Sequence, residues 1–376
     1  MIDVPWGFDY NSAENISLMA LVLYVSGHGL GHATREITIL QSLPREIPLI
    51  IKTASPEWHW RNELAGRRFE YVNASFDVGT VQRDSLDSDA RATLAAWHEA
   101  EATNKGRFDG ERDYLLRHGA KLVVSDVPSF PLAVAASIGI PSVCVANFTW
   151  ADIYADLIGE EPAFADVAER LREEYSQATL HLDAGFSLPM TYFPRRESVG
   201  IVARTGNERR SELLNALPAS ARGKRLALVY VGNWGLPIPY ARLSDFEEWH
   251  FLSLGRPGNE LPENWSVLPR TLMAHPDLVA SVDVVVSKVG YGLVGECLTG
   301  GTPILYCPRT GFAEYPVIDA YLSARLHGIR ISVEQFTSGD WGEILDNVPP
   351  RGAVPKEAAP GGLKASNRLA ALYNAL

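Results

Sequence analysis

Two glycine-rich stretches, far apart in the chain, hold the residue types from which chemistry can be built. The first is Ser26-Gly27-His28-Gly29-Leu30-Gly31-His32-Ala33-Thr34-Arg35, directly after an apolar run. Its alternate glycines let the backbone approach a ligand closely. A histidine near its ordinary pKa is a ready general base at neutral pH, and His28 and His32 are both available. Such a base works better when a carboxylate fixes its tautomer and stabilises the imidazolium. Asp126, which follows the apolar run Leu122-Val123-Val124-Ser125, is the candidate partner.

The second stretch runs Val284-Val285-Val286-Ser287-Lys288-Val289-Gly290-Tyr291-Gly292-Leu293-Val294-Gly295-Glu296. It reads as a strand, a glycine turn and a helix start. Glycines admit an anion to the backbone amides, and a helix N-terminus adds partial positive charge and free N–H groups. Lys288 adds a full charge at the lip, so a diphosphate is the ligand this geometry suits. Gly290-x-Gly292-x-x-Gly295 also matches the dinucleotide fingerprint, a weak signal alone. That fingerprint wants an acidic residue after the next strand; here Pro303–Cys307 ends in Pro308-Arg309, which disfavours a nicotinamide cofactor. The blander reading is that the glycines only let a helix pack on a sheet.

Other patterns are weaker. Asp87-Ser88-Asp89 could mark a metal-diphosphate site, but it precedes a helical run, and helix capping accounts for it better. His28-x-x-x-His32-x-x-x-Glu36 has metal-ligand spacing. His28 lies ahead of the helix, however, so a shared face is not assured and a zinc hydrolase is disfavoured. No G-x-S-x-G nucleophile elbow occurs. Neither a metal nor a cofactor is expected.

The elements that must position these residues are short apolar runs alternating with amphipathic stretches. Leu18–Val25, Leu49–Thr53, Lys121–Ser125 and Ser142–Ala146 read as strands, with helices at Thr34–Leu43, Asp89–His118 and Pro131–Ile138. The pattern restarts with strands at Arg225–Val231, Trp249–Leu254, Val282–Ser287 and Pro303–Cys307, and helices at Thr271–Ala280, Tyr291–Gly300 and Glu314–Leu326. Such alternation predicts parallel sheets covered by helices on both faces. At 376 residues the chain is too long for one core of usual size. The charged stretch Pro194–Lys224, with Arg195, Arg196, Arg204, Arg209 and Arg210, reads as a solvated linker. The expected division is 1–200, 201–360 and a final helix, 361–376, packing back on the first domain. Tandem parallel domains bind ligands at the carboxyl ends of their strands, across a shared cleft.

A net charge of −11 argues against nucleic acid or an anionic membrane surface as the main partner. Cys144, Cys297 and Cys307 show no C-x-x-C spacing, which fits a reducing cytoplasm. Met1–Ser17 reads as no signal peptide, and the longest apolar runs are of strand length, so no integral membrane segment is expected.

On these motifs the chain resembles glycosyltransferases of the GT-B fold: two Rossmann-like, doubly wound α/β domains facing across a cleft. Leu272–Leu322 is similar to the donor-binding segment of plant UDP-sugar transferases and of the bacterial N-acetylglucosaminyltransferase of peptidoglycan assembly. The resemblance implies that Lys288 takes the place of a phosphate-binding histidine and Tyr291 that of a tryptophan. Gly292 and Leu293 replace Asn-Ser, so the phosphates rely on Lys288 and on backbone amides near Gly290. Glu296 matches the acid on the ribose hydroxyls, and Glu314 and Tyr315 stand where Asp-Gln contact the sugar. Base recognition falls to backbone near Leu268. In the first domain, Gly29-Leu30-Gly31-His32 matches the setting of the plant enzymes' base and Val124-Ser125-Asp126 that of its partner. His32 is therefore the expected base, held by Asp126, with His28 as alternative base or as a phosphate or sugar contact.

The closest resemblance is to the N-terminal, GT-B-like portion of plant L-arabinokinases. It runs through Gly27–Arg35, Asp77–Asp84, Val124–Tyr154 and Ser287–Glu296. This chain has no ATP loop of that kinase type, so the fold and, weakly, a sugar-like ligand carry over. Asp77, Gln82, Asp84, Asn147, Trp150 and Asp152 lie on first-domain loops as candidate acceptor contacts, since polar groups beside aromatics suit a sugar or nucleoside. Loop turns and helix caps are the competing reading for each.

The expected function is an inverting, metal-independent transfer of a sugar from a nucleoside-diphosphate sugar, UDP favoured, to a hydroxyl of a small-molecule acceptor. A nucleotide-sugar epimerase and a non-catalytic sugar-nucleotide binder are the alternatives. A homodimer is compatible with this reading. The acceptor, the donor sugar and the base remain open.

Overall fold

The computed structural model describes residues 19–83, 87–230, 238–258 and 260–376. The first half runs β1 (Leu21–Val25), α1 (Leu30–Leu40), β2 (Leu49–Thr53), α2 (Glu57–Glu63), β3 (Glu70–Asn73), α3 (Ala90–Arg117), β4 (Leu122–Asp126), α4 (Phe130–Ser137), β5 (Ser142–Ala146), α5 (Trp150–Asp156), α6 (Phe164–Tyr175), β6 (Leu180–Asp183) and β7 (Arg196–Ser198). The second runs α7 (Arg210–Asn215), β8 (Arg225–Tyr230), β9 (Trp249–Ser253), β10 (Trp265–Val267), α8 (His275–Ser281), β11 (Val284–Ser287), α9 (Tyr291–Gly300), β12 (Ile304–Tyr306), α10 (Tyr315–Ser323), β13 (Gly328–Arg330), α11 (Val333–Ser338), α12 (Gly342–Asp346) and α13 (Gly361–Ala375).

These form two α/β domains. One holds a seven-stranded sheet of order β3-β2-β1-β4-β5-β6-β7, the other a six-stranded sheet of order β10-β9-β8-β11-β12-β13. The strand pairs of both are parallel. Each sheet is covered on both faces. Leu21, Leu23 and Val25 of β1 join Ala33 and Ile37 of α1; Val22 and Tyr24 join Leu115 of α3 and Val134 of α4. In the second sheet Leu226 and Leu228 of β8 face one core and Ala227 and Val229 the other. A strand buried on both faces must be apolar throughout, which is why these read as continuous runs without alternation. In each sheet the strand order reverses beside the first strand, between β1 and β4 and between β8 and β11. Those are the crevices where open parallel sheets take ligands.

Several boundaries differ from the sequence reading. Helix α1 starts at Leu30 rather than Thr34, because glycine is tolerated in a first helical turn where few backbone bonds depend on it. Helix α8 starts only at His275, with Pro276 in its first turn, where a missing N–H costs nothing. Asp126 is the last residue of β4 rather than the residue after the strand. Residues 194–224 are more than a solvated linker: they contain β7 and α7, and Arg204 is mostly buried in an ion pair. Helix α13 packs Ala365, Leu369 and Tyr373 into the core beneath α1, and Arg368 donates to both oxygens of Glu197 at 2.7 and 2.8 Å. Among the described residues no helix is long and apolar enough to cross a membrane.

Candidate active site

The pairing of β1 with β4 sets the first half of the site. Val25 lies opposite Asp126 in the ladder, and the Ser26 N–H donates to the Asp126 carbonyl at 2.7 Å. The chain then turns through Gly29, whose φ of +82° is left-handed backbone that favours glycine. Helix α1 begins one residue later, so His32 occupies its first turn. Its Nδ1 is 2.7 Å from Asp126 Oδ1, with His32 7% exposed and Asp126 fully buried.

Arg35 completes this arrangement and went unassigned in the sequence. Three residues on from His32, it shares the same helix face. Its Nε donates to Asp126 Oδ2 at 2.7 Å and its Nη2 to Oδ1 at 2.5 Å, a bidentate pair. Its Nη1 donates to Asn147 Oδ1. Burial opposes ionisation of Asp126, but the charges of Arg35 and His32 and their hydrogen bonds outweigh it and hold the carboxyl at about 2. The readable signal was an arginine one turn after a motif histidine, on a helix face directed at the sheet.

His28 lies ahead of the helix. Burial lowers its pKa to about 4, helped by the charges of His32, Lys288 and Arg309, so it is neutral at pH 7. Its ring meets Trp150 edge to face at 5.6 Å and presses on Gly79: a Cβ there would lie 2.3 Å from His28 Nδ1, and its φ is +68°. The Tyr154 hydroxyl donates to the Gly79 carbonyl at 2.9 Å, and Trp150 Nε1 donates to Asp77 Oδ2 at 2.6 Å. Burial pushes the Asp77 carboxyl up, against the pull of that Trp150 bond.

The other candidate acceptor contacts spread out. Asn147 donates to Gly185 O at 2.5 Å as well as accepting from Arg35. Asp152 closes the capping box of α5 on Thr149 and accepts from the Tyr192 hydroxyl at 2.7 Å. Gln82 sits in an isolated bridge to Ser88, and Asp89 caps α3 by accepting from the Ala92 N–H at 2.9 Å. Asp84 lies outside the described residues.

In the second domain β11 delivers Lys288 to the start of α9, which has no side-chain cap hydrogen bond at Gly290. The glycines divide by role. Among the described residues a Cβ at Gly290 or Gly292 would meet nothing within 4 Å, whereas one at Gly295 would lie 2.6 Å from Ala203 Cβ. Gly295 is thus a packing glycine, while no described atom stands over Gly290 and Gly292. Gly295→Val is expected to lower Tm by several degrees through overpacking of about 1–3 kcal/mol. Gly292→Val is expected to leave Tm within about 3 °C yet weaken nucleoside-diphosphate binding at least tenfold. Thermal melts and calorimetry on both variants check this.

Glu296 is 4% exposed and already engaged. Arg204 donates from Nε and Nη2 to its Oε1 at 2.8 and 2.6 Å, and His275 Nδ1 is 2.6 Å from its Oε2. Burial alone would raise its pKa; His275 and Arg204 turn the shift downward. Arg204 also reaches Glu63 of α2 at 3.7 Å, across to the first domain. Leu268 has its side chain in the core, while its N–H donates to Ser253 O at 2.7 Å. Tyr315 is buried at the start of α10. Glu314 precedes it; burial pushes its carboxyl up, moderated by Arg309, and His32 of the first domain lies within its electrostatic reach. The Tyr291 ring stands 6.0 Å from Phe148 and 5.2 Å from Phe186, both first-domain residues. His28, His32, Lys288, Tyr291, Arg309 and Glu314 therefore converge from both domains. Arg309 and Phe186 were missed because nothing local in the sequence marks a loop residue that faces another domain. Among the described residues no group of three or more His, Cys, Asp or Glu side chains is arranged to hold a metal ion.

No protein-family model matches the chain. Among curated proteins an L-arabinokinase of Arabidopsis thaliana is 28% identical over 347 residues, covering 90% of this chain. The chain spans only 33% of that relative's length. Among solved structures, UGT89C1 of Arabidopsis thaliana superposes with a TM-score of 0.62 at 14% identity, covering 94% of this chain and 99% of that one. The glycotransferase of kitacinnamycin gives 0.60 at 15% identity, covering 95% of each chain. A UDP-glucosyltransferase from Polygonum tinctorium, capable of glucosylating indoxyl, gives 0.60 at 14%, covering 94% and 98%. The chain has the GT-B fold. Both resemblances read from the motifs are found, the transferases in structure and the L-arabinokinase in sequence. In this GT-B chain the His32–Asp126 pair and the N-terminus of α9 stand at the two crevices where strand order reverses.

Proposed function

We propose that the chain is an inverting, metal-independent glycosyltransferase moving a sugar from a nucleoside-diphosphate sugar, UDP favoured, to a hydroxyl of a small-molecule acceptor. The observation that carries this reading is the convergence of a carboxylate-held histidine from one domain with a helix N-terminus that begins at a glycine and two cations from the other.

In the proposed reaction Asp126 accepts from His32 Nδ1–H, which leaves Nε2 to take the acceptor's proton. The acceptor oxygen attacks the anomeric carbon from the face opposite the diphosphate, so the configuration inverts as the C–O bond to the diphosphate breaks. The proton ends on His32 and the electron pair on the leaving nucleoside diphosphate. Lys288, Arg309 and the first N–H groups of α9 meet that charge, the work a divalent cation does in transferases that use one. His32 suits the base better than His28, whose pKa of about 4 makes it a weak proton acceptor at pH 7. Glu296 reaches a ribose only by sharing or exchanging its contacts with Arg204 and His275. Three free, buried cysteines favour a reducing, cytoplasmic setting.

Calorimetry with UDP, TDP, GDP and ADP tests the donor site. We expect UDP to bind with Kd of about 10 μM; no binding of any of the four at about 1 mM would sink the reading. Incubation with UDP-N-acetylhexosamine and no acceptor separates an epimerase, which would interconvert the sugars. His28→Ala is expected to keep turnover within about tenfold of the parent, read by product formation over time.

A further inference from the structure

Helix α1 carries a second acid group toward Asp126 that the reaction proposed above leaves unused. Glu36 is the last residue of the His28-x-x-x-His32-x-x-x-Glu36 spacing. It lies one turn beyond His32, on the same side of the helix, and is fully buried. Among the described residues no donor reaches either of its carboxyl oxygens. A group within hydrogen-bonding reach is itself an acceptor, the carboxyl of Asp126. We propose that Glu36 is a neutral carboxylic acid donating a hydrogen bond to Asp126, and that it is a positioning residue which draws charge from Asp126 and so restrains the basicity of His32. The effect on catalysis rests on the transferase reading above; the state of the carboxyl pair does not.

The supply of donors decides which carboxyl keeps the proton. Asp126 takes hydrogen bonds from His32 Nδ1 and Arg35 Nη2 at Oδ1 and from Arg35 Nε at Oδ2. Donors and a neighbouring cation favour the anion there. A carboxylate has about four acceptor positions, so one more donor has room. Arg35 also donates to Asn147, but not to Glu36. An ionised Glu36 would therefore be a buried charge without a hydrogen bond, beside a second anion. Burial and the charge of Asp126 push its carboxyl well up, against the pull of Arg35. A proton on Glu36 turns two opposed acceptors into a donor and an acceptor.

The consequence falls on His32. A carboxylate raises the proton affinity of a neighbouring imidazole, and an imidazole that is already protonated cannot act as a base. Arg35 and Glu36 both draw on the charge of Asp126. They leave it enough to hold the Nδ1–H tautomer and moderate its pull on the second proton. Other titratable groups facing this cluster are His28 of the loop before α1, Asp77 of the segment after β3, Cys144 of β5, Tyr291 of α9 and Glu314 ahead of α10. Burial raises the Cys144 thiol and the Tyr291 hydroxyl, so neither carries charge near pH 7. All five are common to the parent and to the variants that test the proposal.

Two measurements on the full chain need no substrate. Infrared difference spectra between the parent and Glu36→Gln at pH 7 should show, in the parent, the carbonyl band of one protonated carboxylic acid that the variant lacks. The His32 imidazole, followed by NMR and assigned by its loss in His32→Ala, should keep its proton affinity within about twofold in Glu36→Gln, because the amide replaces one neutral donor with another. In Glu36→Leu, which removes the donor and keeps an apolar side chain in the core, that affinity should rise about threefold or more; Glu36→Met serves if the leucine variant misfolds. Were Glu36 ionised, Glu36→Gln would delete a neighbouring negative charge and lower the affinity about tenfold. That fall, or no acid band, overturns the neutral acid, and an unchanged affinity in the apolar variant overturns the positioning role. In turnover, the acidic limb of the pH profile should move to higher pH in the apolar variant and stay in place in Glu36→Gln. A chain that meets both substrate-free expectations and transfers no sugar would defeat the transferase reading alone.

Discussion

Replacing His32 with alanine is expected to lower transfer by about a thousandfold while nucleoside-diphosphate affinity stays within about twofold. The first half of this expectation follows from where His32 sits. It is in the first turn of α1, its Nδ1 is tied to a buried carboxylate at 2.7 Å, and its surroundings are the aromatic rings of Phe148 and Trp150. Among the described residues no other group in that crevice combines a fixed tautomer with a partner that stabilises the protonated form. The second half follows because the phosphate-facing groups, Lys288 and the start of α9, belong to the other domain. The measurement is steady-state turnover beside calorimetry on the same preparation. Turnover above about a tenth of the parent value would remove His32 from the base role.

Asp126→Asn should do damage of a different kind. Arg35 is buried and gives two hydrogen bonds to this carboxylate. Removing the negative charge takes from the buried guanidinium the partner of both these bonds and leaves it the more distant carboxyl of Glu36, a loss of about 3 kcal/mol, alongside loss of turnover. The double variant Asp126→Asn with Arg35→Met should recover much of the stability and none of the activity, because it removes the stranded cation without restoring the partner of His32. Chemical denaturation of both variants checks the order. The pH dependence has a definite sign. The folded pKa of Asp126, about 2, lies below its ordinary value, which is about 3.9. Its contribution to stability is complete above the ordinary value and is lost as pH falls toward the folded one. Between about pH 4 and 2 the parent protein should therefore lose stability more steeply than Asp126→Asn.

The motifs were legible because each chemical residue lies beside the glycines or strand end that positions it. Gly29 and Gly290 mark helix starts at a strand's carboxyl end, and His32 and Lys288 are within three residues of them. Apolar runs such as Leu21–Val25 and Val284–Ser287 announce buried parallel strands for the same local reason. The glycine fingerprint could not show its own division of labour. Among the described residues no atom stands within 4 Å of a Cβ on Gly292, whereas Gly295 faces Ala203, and that difference depends on a residue over ninety positions away.

The sequence by itself determined the alternating α/β architecture and the two glycine turns, since period and turn chemistry are local; it offered His32 and Asp126 as strand-end candidates, and the adjacency of β1 and β4 brought them together. Tertiary structure alone decided the rest. It drew Arg204 out of a charged stretch to bind Glu296, brought Arg309 toward His28, set Phe186 against Tyr291, and set the Trp150 ring against those of His28 and His32. The physical reason is one of range. Periodicity, turns and caps are fixed by neighbours a few residues apart, whereas a buried charge takes its partner from whatever the packing of two domains sets beside it.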